Sequence, residues 1–380
     1  MRTITRYLLR EFLLYFALAM GATSSILILR KIFLLTKEFV RKDVGSGYLA
    51  ELILYALPSV LALTIPMAVL AGMLMVLGQF SFTGEITAMR ASGIGIHQFT
   101  MPIVAVGIAF MALDYWMMDV ALPWGNTEYL NLRTKIGRSN PALILEEGTV
   151  MRSLESDELL WFFEEVDQDS GRLRNLRIWE SYRDGHPRLV AAPTGTFVLE
   201  GGRAALTLFD GVSYERDQRR PRTVTISRFS RETLYLPIRD GLGGSGLTVK
   251  SYRGMSRREL NDEVRSIDRR LATENSAIAR QNLEVRRRRA SLEAHKKFSI
   301  PFACLAFAVV SVPMGVLTRR SGFMLGMVIG LPLIIVYYTL LRIGETLAVD
   351  GSVSVAVGSW VANAPTVLLG LVMTVRMRYR

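Results

Sequence analysis

Leu61-Ala62-Leu63-Thr64-Ile65-Pro66-Met67-Ala68-Val69-Leu70-Ala71-Gly72-Met73-Leu74-Met75-Val76-Leu77-Gly78 decides what kind of molecule this is. No Asp, Glu, Lys or Arg interrupts the chain between Glu51 and Glu85, and a hydrocarbon core about 30 Å thick needs roughly 20 mostly apolar helical residues to cross it. Working outward, comparable apolar blocks recur at 11–34, 50–78, 98–122, 298–318, 322–344 and 353–375, in a chain of 380 residues that is 50% hydrophobic. Six spanning helices are expected. The polar stretch between the third and fourth blocks is long enough for a domain with its own core.

Arg2, Arg6 and Arg10 precede the first block, as they would in a secretory signal, but the block runs on through Ile26-Leu27-Ile28-Leu29 and is read as an uncleaved span. The lone cysteine, Cys304, falls in the fourth block, so no intrachain disulfide can form. A formal charge of +12 comes without any nucleic-acid module, and anionic lipid is the better partner for it. Short loops rich in Lys and Arg favour the cytoplasm. The amino-terminal arginines, Arg319 and Arg320, and Arg376, Arg378 and Arg380 then share the inner side, with Glu345 and Asp350 in an outer loop.

The loop after the first span breaks that rule, because Arg30, Lys31, Lys37, Arg41 and Lys42 fall outside. A basic cluster at the outer end of a helix attracts the phosphates of a lipid head group. Side chains that snorkel to anchor a helix end account for it equally well.

From about 141 to 240 the text changes to short apolar runs. Strands are expected at Leu159–Val166, Leu173–Trp179, Thr196–Leu199, Ala205–Phe209, Thr223–Phe229 and Thr233–Ile238, with turns at Asp169-Ser170-Gly171, Asp184-Gly185, Gly201-Gly202 and Asp210-Gly211. Strands so spaced predict an antiparallel β domain of jelly-roll type. Residues 241–254 form a glycine-rich connection in which Lys250-Ser251 is not a phosphate-binding loop, since Val249 stands where glycine is required. Ser256 with Glu259 makes a capping box that opens one expected helix to about His295. Its stripe of Val264, Leu271, Ile278, Val285 and Leu292 recurs every seven residues, and Leu260 and Ile267 complete the seam only in the first part. Such a helix would extend about 60 Å, and its run Arg286–Arg289 is read first as a solvated face, with partner packing or contact with lipid phosphate as the alternative. The expected layout is 1–125 (three spans with a cytoplasmic helix near 80–93), 126–255 (β domain), 256–296 (polar helix) and 297–380 (three spans).

Between the second and third spans lies Gln79-Phe80-Ser81-Phe82-Thr83-Gly84-Glu85-Ile86-Thr87-Ala88-Met89-Arg90-Ala91-Ser92-Gly93, a short amphipathic helix that should end at Gly93. It suits a groove on a partner protein or the bilayer surface. Glu-x-x-x-Met-Arg-Ala-Ser-Gly at 85–93 resembles the coupling helix of the lipopolysaccharide-export permeases LptF and LptG. Lys297-Phe298-Ser299-Ile300-Pro301-Phe302-Ala303-Cys304, then Val312-Pro313-Met314-Gly315 and Arg319-Arg320-Ser321-Gly322, are similar to the stretch entering and leaving that family's fourth span. With the layout of three spans, a β domain and three spans, the likeness covers essentially the whole chain; of the two subunits, F is preferred.

The resemblance implies an inner-membrane ABC transporter permease, with its β domain in the periplasm, working beside a second permease of the same kind. It also implies an LptB-type ATPase dimer and an LptC-like periplasmic bridge protein. Lipopolysaccharide would leave the outer leaflet through a cavity between the permeases. ATP would be used by the partner, and this chain would bind no cofactor or metal. By similarity, Glu85, Met89 and Arg90 belong to the ATPase contact, and Arg30, Lys31, Lys37, Arg41 and Lys42 to lipid phosphate. Gly322, Gly326 and Gly330 make two small-xxx-small steps in the fifth span that let another helix approach. The family places that span at the subunit interface, although packing within one chain is the simpler account.

Catalysis finds little support. Ionisable groups inside spans are costly and usually functional, yet Asp114 and Asp119, five residues apart on a helix, point about 140° from each other. His97, His186 and His295 lack metal-ligand spacing. The alternatives are a membrane scaffold or sensor with a ligand-binding β domain, and a lipid-modifying enzyme.

Overall fold

The structure, a computed structural model, describes residues 2–39, 46–93, 96–139, 151–152, 159–162, 164–167, 172–181, 187–200, 203–216, 224–236, 251–274, 276–317 and 322–378. Two compact units divide the chain. Met1–Leu34, Ile53–Asn126 and Ser251–Arg380 form one; Leu35–Leu52 and Thr127–Lys250 form the other.

The helical elements are α1 (Arg2–Phe39), α2 (Ser46–Phe82), α3 (Glu85–Ala91), α4 (Ile96–Trp116), a π turn (Met117–Ala121), α5 (Leu122–Ser139), α6 (Arg257–Thr273), α7 (Ala277–Leu317), α8 (Gly322–Asp350), α9 (Val355–Trp360) and α10 (Asn363–Arg378). Among the described residues, five segments are long and apolar enough to cross a membrane: Thr5–Leu35, Gly47–Phe82, Thr100–Arg133, Ala279–Val316 and Val328–Asp350. In the second and fourth of these, 78% of the most apolar window is buried, against 28% or less in the others. These two helices are therefore the centre of the bundle. Ile65, Val69, Met73 and Val76 of α2 belong to one apolar cluster, whereas Ala62, Leu70 and Leu74 of the same helix belong to another. A helix buried on two faces reads as apolar all round, and this is why residues 61–78 show no polar stripe.

The last apolar block, 353–375, does not form one spanning helix. It divides at Val361–Ala362 into α9, capped by Ser354 accepting from Val357 N (3.3 Å), and α10 of 16 residues. Asn363 at that break is buried and fully engaged. Its Nδ2 donates to Ser299 O (2.7 Å) and its Oδ1 accepts from the Tyr337 hydroxyl (3.1 Å). Elsewhere Ser24 and Thr64 share a hydroxyl bond (3.1 Å) that ties α1 to α2, as buried hydroxyls without water require.

The single helix expected over 256–295 is instead a hairpin. The capping box at Ser256 and Glu259 is formed, but the helix ends at Thr273, Glu274 turns extended (φ −83°, ψ 127°), and α7 starts afresh at Ala277. The Glu274 carboxylate accepts from Ser276 N (3.0 Å) inside the turn. Leu260 and Ile267 of α6 and Ala290 and Leu292 of α7 are buried, and Arg287 of α7 pairs with Asp268 of α6. The half-complete stripe finds its partner in the same chain rather than extending into solvent. The second arm runs without a break into the fourth span.

In the other unit β1 (Met151–Arg152), β2 (Leu159–Phe162), β3 (Glu165–Asp167), β4 (Arg172–Ser181), β5 (Pro187–Glu200), β6 (Arg203–Arg216) and β7 (Val224–Leu236) form one antiparallel sheet in the order β1-β2-β4-β5-β6-β7, with β3 beside β4. Strands expected at 223–229 and 233–238 are a single strand, and Asp210-Gly211 is not a turn but lies inside β6. The other three expected turns lie outside the described residues. Register places Asn175, Pro193 and Asp210 opposite one another. Asn175 and Asp210 both have φ +51°. Buried residues change parity across this row: Leu173 then Leu176 and Ile178; Val190 and Ala192 then Gly195; Leu206 and Leu208 then Gly211 and Ser213. Asp-Gly signals a turn because it tolerates positive φ, and here that tolerance serves a mid-strand crease. Gly211 leaves room for the Phe229 ring that faces it in β7; a Cβ there would also meet Ala191 O at 2.9 Å.

Candidate functional site

The elbow between α2 and α4 is set by two glycines in the left-handed region, Gly84 (φ +77°) and Gly93 (φ +79°), which bracket the seven residues of α3. The helix therefore ends where the sequence indicated. Glu85 stands in its first turn and accepts from the Thr83 hydroxyl (2.9 Å), near the unpaired amides of the helix start. Ile86 is buried and Met89 packs against the same apolar cluster, which also holds Leu8, Phe80 and Val316. Thr87, Ala88, Arg90 and Ala91 are exposed. Met89 thus faces the bundle, and the outward face of the elbow is carried by Arg90 and its small neighbours. Tyr7 of α1 stacks on Phe80 at the foot of the elbow (5.2 Å between ring centroids).

Of the basic cluster, Arg30 is exposed and Lys31 half-buried on the last turns of α1. Lys37 belongs to α1, with its side chain outside the described residues, and Arg41 and Lys42 lie outside them altogether. Gly322 and Gly326 stand in the first turns of α8, their surroundings likewise outside the description. Gly330 is buried against Leu74 of the same chain, whose Cδ1 would lie 3.1 Å from an added Cβ. At that step the close approach is within the subunit.

Three features escaped the sequence. The third span does not end near 122. It passes through the π turn Met117–Ala121, where Lys297, almost fully buried, donates from Nζ to Met118 O (2.6 Å) and Arg253 O (3.3 Å). Asp119 accepts from Arg257 N (2.7 Å), capping α6 beside Ser256. Asp119 is thus a cap rather than an acid for chemistry. Lys296, next in the chain, is buried between Glu293 (2.9 Å) and Glu345 (2.8 Å), and Glu345 also accepts from Arg342 (2.7 Å). Asp114 is fully buried, with neither oxygen hydrogen-bonded among the described residues. Lys297 opens the stretch quoted from the sequence, but nothing local says that its ammonium group and that of Lys296 turn inward.

The model of the lipopolysaccharide export system permease LptF/LptG matches residues 6–376. The chain belongs to the LptF/LptG family. No individual curated protein matches it. The match covers the helical unit, the sheet and the hairpin alike, so this permease is a multi-pass membrane component of lipopolysaccharide export and a transport subunit rather than a catalyst. Its elbow motif and the Lys297–Cys304 stretch, which carry the family likeness, are both structural junctions. The first joins α2 to α4, and the second ties α7 to the π turn inside the third membrane-length segment.

Proposed function

We propose that the permease takes lipopolysaccharide from the outer leaflet of the bacterial inner membrane and passes it to the periplasmic β domain, driven by ATP hydrolysis in a separate LptB-type subunit. The chain crosses the membrane six times with both termini inside, α9 and α10 together making the last crossing. The creased sheet is one wall of a jelly-roll-like domain that hands lipid to an LptC-like bridge. A second permease of the family completes the cavity, with Arg30, Lys31, Lys37, Arg41 and Lys42 at lipid phosphates and Gly322 and Gly326 toward the partner.

The observation that carries this is the elbow. Ile86 and Met89 seat α3 on the central cluster, so a push on the exposed Arg90 face reaches α1, α2 and α7 directly. Purification through a tag on this chain tests it. An ATPase should come down with the permease, Arg90→Glu should release it, and lipopolysaccharide should leave reconstituted discs only with ATP. A chain that purifies without ATPase and without lipid, its β domain holding a soluble ligand instead, would be a sensor and would end the proposal.

A further inference from the structure

A cleft of about 500 Å³ opens between the Tyr252–Gly254 turn, the middle of α7 and the end of α8, lined by Tyr252, Arg253, Arg289, Glu293, Glu345 and Asp350 among others. Its size is that of a ligand site. Its floor is already neutralised, because Lys296 is held by Glu293 and Glu345, and Glu345 by Arg342. Arg253 reaches Glu293 only at 3.5 Å and stays largely exposed. Neither Arg289 nor Asp350 has an ion-pair partner among the described residues. Tyr252 lines the same cleft, its phenol pushed up by burial and by Glu263, against the opposing pull of Arg286 and Arg289. The Arg289 guanidinium and the Asp350 carboxylate, both without an ion pair among the described residues, and the Arg253 guanidinium, held by Glu293 at 3.5 Å, therefore line a cleft over a neutralised floor.

The position narrows the occupant. Asp350 is the last residue of a membrane-length segment, Val328–Asp350. On the turns of α8 just before it, Leu347 and Ile343, four residues apart, are exposed. These exposed apolar side chains stand beside the face by which α8 lines the cleft with Glu345, Thr346, Val349 and Asp350. We infer that the cleft binds the head group of an amine-bearing phospholipid, with phosphate between Arg253 and Arg289, ammonium at Asp350 and an acyl chain along Leu347 and Ile343. Guanidinium groups match phosphate oxygens in geometry and charge, and the Asp350 carboxylate, which attracts an ammonium and repels a second anionic group, selects for the amine-bearing head group. The proposed topology decides only which leaflet supplies the lipid.

Native mass spectrometry of the full chain tests this, after incubation with phosphatidylethanolamine, phosphatidylglycerol or free phosphoethanolamine. The wild type should retain one phosphatidylethanolamine in preference to phosphatidylglycerol. Asp350→Asn should abolish that preference while keeping both lipids. Arg253→Ala with Arg289→Ala should lower retention of both about tenfold without changing the thermal midpoint. Equal retention of the two lipids by the wild type, or variants that bind as it does, would overturn the assignment. Displacement of the lipid by free phosphoethanolamine would mark a site for soluble phosphate compounds and would overturn it equally. Since no ATPase is present, these results stand apart from the export proposal.

Discussion

Replacing Lys297 with methionine isolates what a buried ammonium does at the junction of the third and fourth spans. Methionine keeps most of the side chain's length and volume, so no large cavity opens. What disappears is the donor to Met118 O at 2.6 Å and to Arg253 O at 3.3 Å. A buried acceptor left without its partner costs about 1–3 kcal/mol, and two of them cost about 2–6 kcal/mol. Removing the charge also removes its desolvation penalty, which acts in the opposite direction. That relief is limited because Asp119, Glu293 and Glu259 all act on the ammonium and lose their counterion together. The net expectation is a loss of about 2–4 kcal/mol, a drop of several degrees in the unfolding midpoint for a chain of this size. The assay is tryptophan fluorescence of detergent-purified protein heated at a fixed scan rate, since membrane-protein unfolding is commonly irreversible. Hydrogen exchange should accelerate around the π turn and Tyr252–Gly254 first. A midpoint within about one degree of wild type, with exchange unchanged at both places, would refute the view that Lys297 holds them.

Gly344→Ala should lower the same midpoint by an amount corresponding to about 1–3 kcal/mol, because the new Cβ falls on Gly358 O and the Val361 side chain, whereas Gly330→Ala, which meets only the tip of Leu74, should leave it nearly unchanged. Gly211→Ala should destabilise the sheet by about 1–3 kcal/mol, read as faster proteolysis of the β unit, and Phe229→Leu should restore part of the loss by clearing the ring. Tyr337→Phe should cost about 1–3 kcal/mol in thermal stability by leaving buried Asn363 Oδ1 without its donor. A neutral result there would mean that Asn363 is held by Ser299 alone.

The apolar blocks were legible because hydrocarbon thickness imposes a minimum length that composition alone reveals, and five of them became membrane-length helices. The sixth block broke where Asn363 is buried, a polar contact with Ser299 and Tyr337 that no local pattern announces. The capping box at Ser256 was readable, being a contact between residues three apart; the fold-back at Glu274 was not, since the stripe's partner lay in the same chain. Among candidate site residues, the elbow's limits followed from Gly84 and Gly93. The inward turn of Met89, and the burial of Lys296 and Lys297, depend on neighbours far away in sequence. Asp210-Gly211 misled because the dipeptide reports a tolerance for positive φ, not the purpose to which it is put.

The crease in the sheet has a bearing on how such a domain can change length. Removing Asn175 alone would give β4 an unbroken inward-outward alternation, and the same holds for Pro193 in β5 and Asp210 in β6. Each such shortening would nevertheless throw that strand one place out of step with its neighbours on one side of the row, turning its apolar residues outward there. Only loss of all three together would keep the strands matched, and it would leave a flatter sheet. Insertions and deletions at this row are therefore collective events, acceptable in concert and ruinous singly.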